Sequence, residues 1–298
     1  MATDLRDLAT SFARYLRAEG KAAGTLRLYG QSVEFYARWL ESHGKPATLD
    51  HLTRREIVDW LADLQAEREA STVRTRYRGL FRFCSWLVAE DEMAKSPMEG
   101  VRLDVPRAKP VPVLSDDELV RLVRACHGKD FVSRRDEAIV RVLLDCGVRV
   151  SELCGMRVLT SRQLDDGFVM VHGKGEKVRP VYFGDRTAQA LDRYLRVRSS
   201  SRWAHLDALF LSQRGALSTD GVREIVRARG LAAGIADLHP HRFRHTFAHD
   251  FLMNGGQERD LKRLAGWSSD AMLERYGASA ADARAKAAAQ RMKRGDRV

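Results

Sequence analysis

The sequence lacks the features that would place a protein in or across a membrane. No apolar run approaches the roughly 18 residues that span a bilayer, and the opening stretch MATDLRDLATSFARYL is charged and amphipathic, unlike a secretory signal. Cysteine is also scarce, and no C-x-x-C pair occurs among Cys84, Cys126, Cys146 and Cys154. A secreted disulfide scaffold and a zinc ribbon are therefore disfavoured, and we expect buried free thiols in a cytoplasmic protein.

Acidic residues are too few to balance the basic ones, and the imbalance is local. The 298 residues include 51 Lys and Arg against 40 Asp and Glu, a formal charge of +11. Residues 1–105 hold 16 of each kind, so the whole excess lies in residues 106–298. A basic domain of this size favours a polyanionic partner such as nucleic acid, although a solvated basic surface without a specific partner stays open.

Proline is rare as well, with seven in the chain, and three of them mark a boundary. Pro106, Pro110 and Pro112 lie in one short stretch, where they remove amide donors and favour extended backbone. Apolar stripes at helical spacing precede this stretch and predict four helices. We therefore predict a helical domain over residues 1–104, a linker over 105–113 and a second domain over 114–298.

Strand signals in the second domain are confined to one region. Two β-rich runs, Phe168–His172 and Val178–Phe183, flank the glycine-containing segment 173–177, which predicts a β-hairpin. Periodicity and caps predict helices around Thr187–Val197, Thr219–Arg229 and Pro240–Met253. The expected fold is mainly α, with one small antiparallel sheet.

Polar and basic side chains that could take part in chemistry lie at predicted loop tips and helix starts of the second domain. They are Arg149 in GVRVSE, Lys174 in GKGEK, His241 and Arg244 in HRFR, Trp267 in AGW, and Tyr276 in RY. Each alone has an ordinary structural explanation, such as a turn, a solvated loop tip or a core tyrosine. The information lies in their combination within a basic domain.

This ordered set resembles the tyrosine recombinase, or phage integrase, family, and residues 1–104 look like that family's helical, SAM-like core-binding domain. The resemblance implies a site-specific DNA recombinase that works through a 3′-phosphotyrosyl intermediate. It implies two protomers on each double-stranded DNA site, and four that synapse two sites and pass through a Holliday junction. It also implies a nucleoid-associated enzyme without metal, nucleotide or other cofactor.

Phosphodiester cleavage gives each residue of the set a task. Arg149 and Arg244 are expected to fork onto the non-bridging oxygens, because planar guanidinium donors suit phosphate. The resemblance makes Lys174 the general acid for the leaving 5′-oxygen and Tyr276 the nucleophile, which neighbouring cations would help to ionise. His241 is expected to donate to the same phosphate or to relay a proton from the tyrosine.

Two more positions complete the candidate site. Trp267 stands where the family most often has histidine, and an indole N–H can only donate, so no acid–base role is expected there. Glu152 matches an acidic residue of the family and is expected to orient Arg149 or Lys174.

Three features outside this set have open interpretations. Arg74, Arg78 and Arg82, with Arg76 beside them, form a stripe on the fourth helix that predicts either a DNA-binding face or a solvated one. The histidines between residues 239 and 249 lack the acidic partner of H-E-x-x-H, so no metal site is expected. The alanine-rich segment Ala278–Arg291 predicts a tail helix that packs on its own chain or on a neighbour.

Several identities also stay open at this stage. The chain could be a compact phage or mobile-element integrase, a Xer-type recombinase or a transposon recombinase. Trp267 and the RYGAS stretch favour the mobile-element type, and no arm-binding module is expected before the first helix. The rivals are a DNA-relaxing enzyme similar to type IB topoisomerases and a non-catalytic DNA-binding regulator, for which Tyr276 would have no use.

Overall fold

The computed structural model describes residues 3–104, 112–173, 178–292 and 294–297. Side chains at positions 271, 274–280, 282–283, 287, 294 and 297 are not described. The chain divides into two compact units, Met1–Lys109 and Pro110–Val298. The finer division into domains 1–104 and 114–298 with a linker over 105–113 stays a prediction.

The described part of the first unit contains four α-helices, which confirms the prediction from apolar spacing. They are α1 Leu5–Ala18, α2 Ala23–Ser42, α3 Arg54–Glu67 and α4 Ala70–Ala89. The side chains of Asp4 and Thr53 cap α1 and α3 by accepting from backbone N–H groups of the first turn. Leucine and aromatic side chains fill the core, where Phe12 contacts Phe83 edge to face with ring centroids 5.5 Å apart.

The crossing of α2 and α4 depends on a glycine. A Cβ at Gly79 of α4 would overlap the side chain of Ser32, which is fully buried on α2. Gly30 of α2 offers the opposite case, since a Cβ there would find no described atom within 4 Å. The two glycines form a matched pair for testing this packing.

We expect Gly79→Ala to lower the free energy of unfolding by about 1–3 kcal/mol, because overpacking outweighs the gain in helix propensity. Gly30→Ala should instead raise it by about 0.5–1 kcal/mol, because alanine is the better helix former. Urea titration followed by circular dichroism measures both. Equal effects of the two substitutions would contradict the close crossing.

The second unit is mostly helical. Its helices are α5 Asp116–Arg124, α6 Phe131–Cys146, α7 Val150–Cys154, α8 Ser161–Asp165, α9 Asp185–Arg198, α10 Thr219–Ala232, α11 Pro240–Met253, α12 Glu258–Ala265 and α13 Asp270–Met292. α6 lies in the centre and packs against α9 and α11, while α13 packs against α11. None of the helices in the described part of the chain is both long enough and apolar enough to cross a membrane.

The predicted hairpin is confirmed. β1 (Phe168–His172) pairs antiparallel with β2 (Val178–Tyr182), with Phe168 opposite Tyr182 and His172 opposite Val178. Val169, Val171 and Val181 point into the core, so the alternation of the strands fixes which residues face the neighbouring helices.

The expectation of a single strand region was wrong. A second antiparallel pair, β3 (Leu211–Ser212) and β4 (Gly215–Ala216), lies between α9 and α10. Strands of two residues are too short to produce an alternating pattern, so the sequence contains no periodic signal for them. The carboxy-terminal helix also differs from the prediction, because α13 starts at Asp270 and includes position 276.

Candidate active site

The candidate site lies where two helices are each followed by a glycine whose backbone adopts the left-handed conformation. α6 ends at Gly147 with φ of +54°, and α12 ends at Gly266 with φ of +62°. The space beside Gly147 is filled by the ring of Phe247 on α11, so any side chain at position 147 would collide with it. These two turns bring Arg149 and Trp267, which closely follow them, to the same region.

Three arginines converge on the carboxy-terminal end of α12. Its last turn is a Schellman motif, in which the N–H groups of Gly266 and Trp267 bond back to the carbonyls of Arg263 and Lys262. The next three carbonyls, those of residues 264, 265 and 266, accept hydrogen bonds from arginine side chains. The donors are Arg179 Nε at 2.8 Å, Arg244 Nη2 at 2.5 Å and Arg149 Nη2 at a long 3.5 Å.

This arrangement is favourable because the carbonyl end of a helix is electronegative and leaves carbonyls without partners in the helix. The three guanidinium groups therefore both complete the hydrogen bonding of α12 and gather positive charge in one place. Sequence reasoning placed Arg149, Arg244 and Trp267 in one site, and the structure brings them together.

Arg149 lies at the edge of this cluster and precedes α7 as its N-cap residue. Its backbone N–H donates to Oε2 of Glu152 at 2.8 Å, and its Nη1 donates to Oε1 at 2.9 Å. Its side chain remains 36% exposed. Arg149 also lines a cavity of about 730 Å³ together with His241, so these two predicted residues face a common space.

Glu152 bonds two of these three arginines, Arg149 and Arg179, and is only 2% exposed. Besides Arg149, it accepts from Arg179, whose Nη1 and Nη2 lie 2.9 and 3.0 Å from its two carboxylate oxygens. Burial alone raises the pKa of the Glu152 carboxyl. The hydrogen bonds from Arg179 and from the backbone of Arg149 outweigh it, so the pKa lies below its usual range and the group stays ionised.

Arg244 is placed differently from Arg149, since it is only 1% exposed. Its Nη1 donates to the carbonyl of Gly147 at 2.6 Å, and its guanidinium carbon lies 5.4 Å from the centre of the Trp267 ring. Arg244 therefore joins the two glycine turns to each other. The Trp267 ring is itself buried and packs against this cation, which suits a residue with no acid–base role.

The sequence analysis missed Arg179 and two further arginines that line the cavity, Arg223 and Arg227. Arg179 occupies an inward position of β2, between Val178 and Pro180, which are exposed. A charged residue at an inward strand position was the available signal. Arg223 and Arg227 of α10 line the same cavity as His241, and their spacing of four was the corresponding helical signal.

Two predicted residues cannot be placed by their side chains. Lys174, in the connection between β1 and β2, lies outside the described residues. Tyr276 belongs to α13, but its side chain is not described. Across the described ranges, no three His, Cys, Asp or Glu side chains gather in a way that could hold a metal ion.

The arginines of α4 do not share one environment. Arg82 bonds both carboxylate oxygens of Glu19 at 2.8 and 2.9 Å, and Arg76 lies over the ring of Phe35 at 4.2 Å. Arg78 is exposed, whereas Arg74 is partly buried. Their predicted contact with DNA stays a prediction.

Comparison with known proteins places the chain in a family. Residues 112–283 match the phage integrase family, and residues 9–91 match the phage integrase N-terminal SAM-like domain. Tyrosine recombinase XerD of Bifidobacterium longum (strain NCC 2705) is 31% identical over 270 residues, covering 86% of this chain and 87% of the relative.

A second relative and a solved structure agree. Tyrosine recombinase XerC of Thermodesulfovibrio yellowstonii (strain ATCC 51303 / DSM 11347 / YP87) is 30% identical over 286 residues, 92% of either chain. A lambda integrase dimer, solved bound to a COC′ core site, shares the fold with a TM-score of 0.72 at 17% identity, covering 93% of this chain and 77% of that one. The chain therefore belongs to the phage integrase family of tyrosine recombinases and is a DNA strand-exchange enzyme.

Proposed function

We propose that this chain is a site-specific recombinase that cleaves and rejoins DNA through a 3′-phosphotyrosyl bond to Tyr276. One observation carries the proposal: Arg149 and Arg244, far apart in sequence, are hydrogen-bonded to the same helix end beside a cavity that His241 also lines. A protein that only bound DNA would gain little from concentrating cations in this way at a partly buried point. Stabilising charge on a reacting phosphate requires it.

We assign the cleavage step to the following residues. The phenolate oxygen of Tyr276 attacks the phosphorus, and the bond between phosphorus and the 5′-oxygen breaks. Arg149 and Arg244 stabilise the charge on the non-bridging oxygens, directly or through the local field. The phenol proton passes to solvent, either directly while His241 donates to the same phosphate or by relay through His241. Lys174 supplies the proton that the leaving 5′-oxygen takes up.

Rejoining reverses the same chemistry. A 5′-hydroxyl of the partner strand gives its proton to the neutral amine of Lys174 and attacks the phosphotyrosyl phosphorus. The phenolate of Tyr276 leaves and takes a proton from solvent or through His241. The phosphotyrosyl linkage is a phosphodiester like the one it replaced, so this step needs no ATP. Glu152 and Trp267 do not transfer protons in this scheme and act by holding the arginines.

We further propose two copies on each double-stranded DNA site and four in a synapse that passes through a Holliday junction. Lambda integrase, whose fold this chain shares, has been solved as a tetramer on such a junction, which supports the assembly. Residues 114–298 would carry the chemistry, and residues 1–104 would hold the duplex with the α4 arginines, joined by the linker 105–113. The enzyme would act in the cytoplasm, at the nucleoid.

Covalent capture from genomic DNA tests this function and identifies the recombination site in the same experiment. Randomly nicked fragments of the genome that encodes the protein are incubated with it and denatured in detergent, and the DNA that stays attached is sequenced. A nick lets the cleaved end diffuse away and traps the intermediate. We expect the recovered fragments to share one sequence, and two plasmids carrying it should exchange strands.

Other outcomes separate the rival functions. A DNA-relaxing enzyme would retain unrelated fragments and would relax plasmids without exchange between them. A non-catalytic regulator would retain no fragment covalently. Either result would overturn the proposal.

A further inference from the structure

Arg179 of β2 shares the carboxylate of Glu152 with Arg149. Its side chain is 14% exposed and forks onto both carboxylate oxygens of Glu152, while its Nε donates to the carbonyl of Leu264 on α12. One side chain thus bonds the β-hairpin to α7 and to the end of α12. Arg149 lines the cavity, whereas Arg179 is oriented towards the interior of the unit.

The carboxylate of Glu152 is divided evenly between the two arginines. Oε1 accepts from Nη1 of Arg149 and from Nη1 of Arg179, each at 2.9 Å. Oε2 accepts from the backbone N–H of Arg149 at 2.8 Å and from Nη2 of Arg179 at 3.0 Å. If Arg179 were removed, Arg149 would be the one partner left to the carboxylate among the described residues, and the two could rotate together.

Arg179 also supports the second partner of Arg149. The carbonyl of Gly266 accepts from Nη2 of Arg149, and a Cβ at Gly266 would lie 2.8 Å from the guanidinium carbon of Arg179. The guanidinium therefore packs tightly against this glycine. Among the described residues, the two groups that accept hydrogen bonds from the Arg149 side chain are Glu152 and the Gly266 carbonyl, and Arg179 contacts both residues.

We propose that Arg179 is the positioning residue for Arg149, and that it acts on cleavage only through the charge that Arg149 presents to the non-bridging oxygens of the scissile phosphate. This inference rests on the proposed recombinase function. Burial and two acceptors in fixed directions favour arginine here, because lysine offers a point charge in place of a planar fork.

Altered scissile phosphates distinguish this role from others. A methylphosphonate replaces one non-bridging oxygen by an uncharged methyl group, so cleavage depends less on the charge of Arg149. A 5′-thio linkage replaces the leaving oxygen by sulfur, a better leaving group that needs no general acid. The first substrate should relieve a defect that acts through Arg149, and the second a defect that acts through proton donation.

The test compares the rate of adduct formation on duplexes carrying the captured site with the normal, the methylphosphonate or the 5′-thio linkage. We expect Arg179→Gln to slow adduct formation on the normal duplex by about 10–100-fold, as is typical when a supporting partner is lost. DNA affinity should stay unchanged. The defect of Arg179→Gln should shrink at least tenfold on the methylphosphonate and persist on the 5′-thio duplex. The rate of Arg179→Lys on the normal duplex should lie between those of Arg179→Gln and wild type.

Two other variants calibrate the result. Arg149→Ala should show the same substrate profile with a larger defect. Arg193→Gln is the matched control, because Arg193 is likewise one of two arginines on a buried glutamate, Glu137, with Arg141 as the other. It should cleave all three duplexes like wild type.

The contrary outcomes distinguish failure of the Arg179 inference from failure of the proposed function. An equal defect of Arg179→Gln and Arg179→Lys on all three duplexes would show a merely structural role and overturn the inference. Relief on the 5′-thio duplex would show that Arg179 acts through the leaving group, which also overturns it. If wild type itself formed no adduct on any duplex, the proposed function would fail instead.

Discussion

Tyr276→Phe is expected to bind the captured site as tightly as wild type and to form no covalent adduct with it. The substitution removes one oxygen atom, which is the atom that attacks phosphorus, and leaves the aromatic ring. DNA binding depends on other groups, chiefly phosphate contacts by basic side chains, so affinity should be unaffected. A nicked duplex with labelled DNA, denatured and separated by electrophoresis, measures adduct and free DNA together.

Tyr182→Phe provides the control for this experiment. Tyr182 is an exposed tyrosine at the end of β2, and the same single atom is removed there. The control should form the adduct at the wild-type rate. An adduct that persisted in Tyr276→Phe would mean that another side chain is the nucleophile.

Arg149→Ala is expected to slow adduct formation by about 10²–10³-fold or more, the loss typical of deleting one donor that stabilises transition-state charge. Arg149 combines partial exposure with two fixed partners, so its guanidinium is held in one place while part of it faces solvent. Single-turnover cleavage of the captured site measures the rate. Arg149→Lys should recover only part of it, because lysine cannot make a fork.

Arg196→Ala removes the same charge elsewhere in the same unit. Arg196 pairs with Asp192 on the surface of α9, and such exposed pairs contribute little to stability. The control should cleave at the wild-type rate. A retained rate in Arg149→Ala would remove Arg149 from the catalytic residues.

Arg244 is a less direct test of charge stabilisation. It is almost fully buried and bonds the carbonyls of Gly147 and Ala265, so its removal would leave two buried acceptors without these donors. Loss of such bonds destabilises the fold in addition to any effect on chemistry. Measurements on Arg244 variants therefore need a thermal unfolding curve beside the rate.

The elements that the sequence predicted well are those with local signals. The helices of the first unit have apolar stripes at helical spacing. The hairpin of β1 and β2 has alternating strands on either side of a turn. β3 and β4 were missed because two residues cannot show a period, and α13 begins earlier than predicted.

In the candidate site, too, the residues that lie in local sequence motifs were predicted, and the residue whose partners are distant in the chain was not. Arg149, Glu152, Arg244 and Trp267 lie in recognisable motifs, and the structure brings them together at the end of α12. Arg179 was missed because its meaning depends on partners 27 and 85 positions away in the chain. The roles of Lys174 and Tyr276 stay predictions that chemistry must test.

The most direct test of the account is to identify the residue that carries DNA in the trapped adduct. After digestion with nuclease and protease, mass spectrometry should find a nucleotide joined through its 3′-phosphate to the peptide that contains Tyr276. A nucleotide on any other residue, or one joined through its 5′-phosphate, would contradict the account.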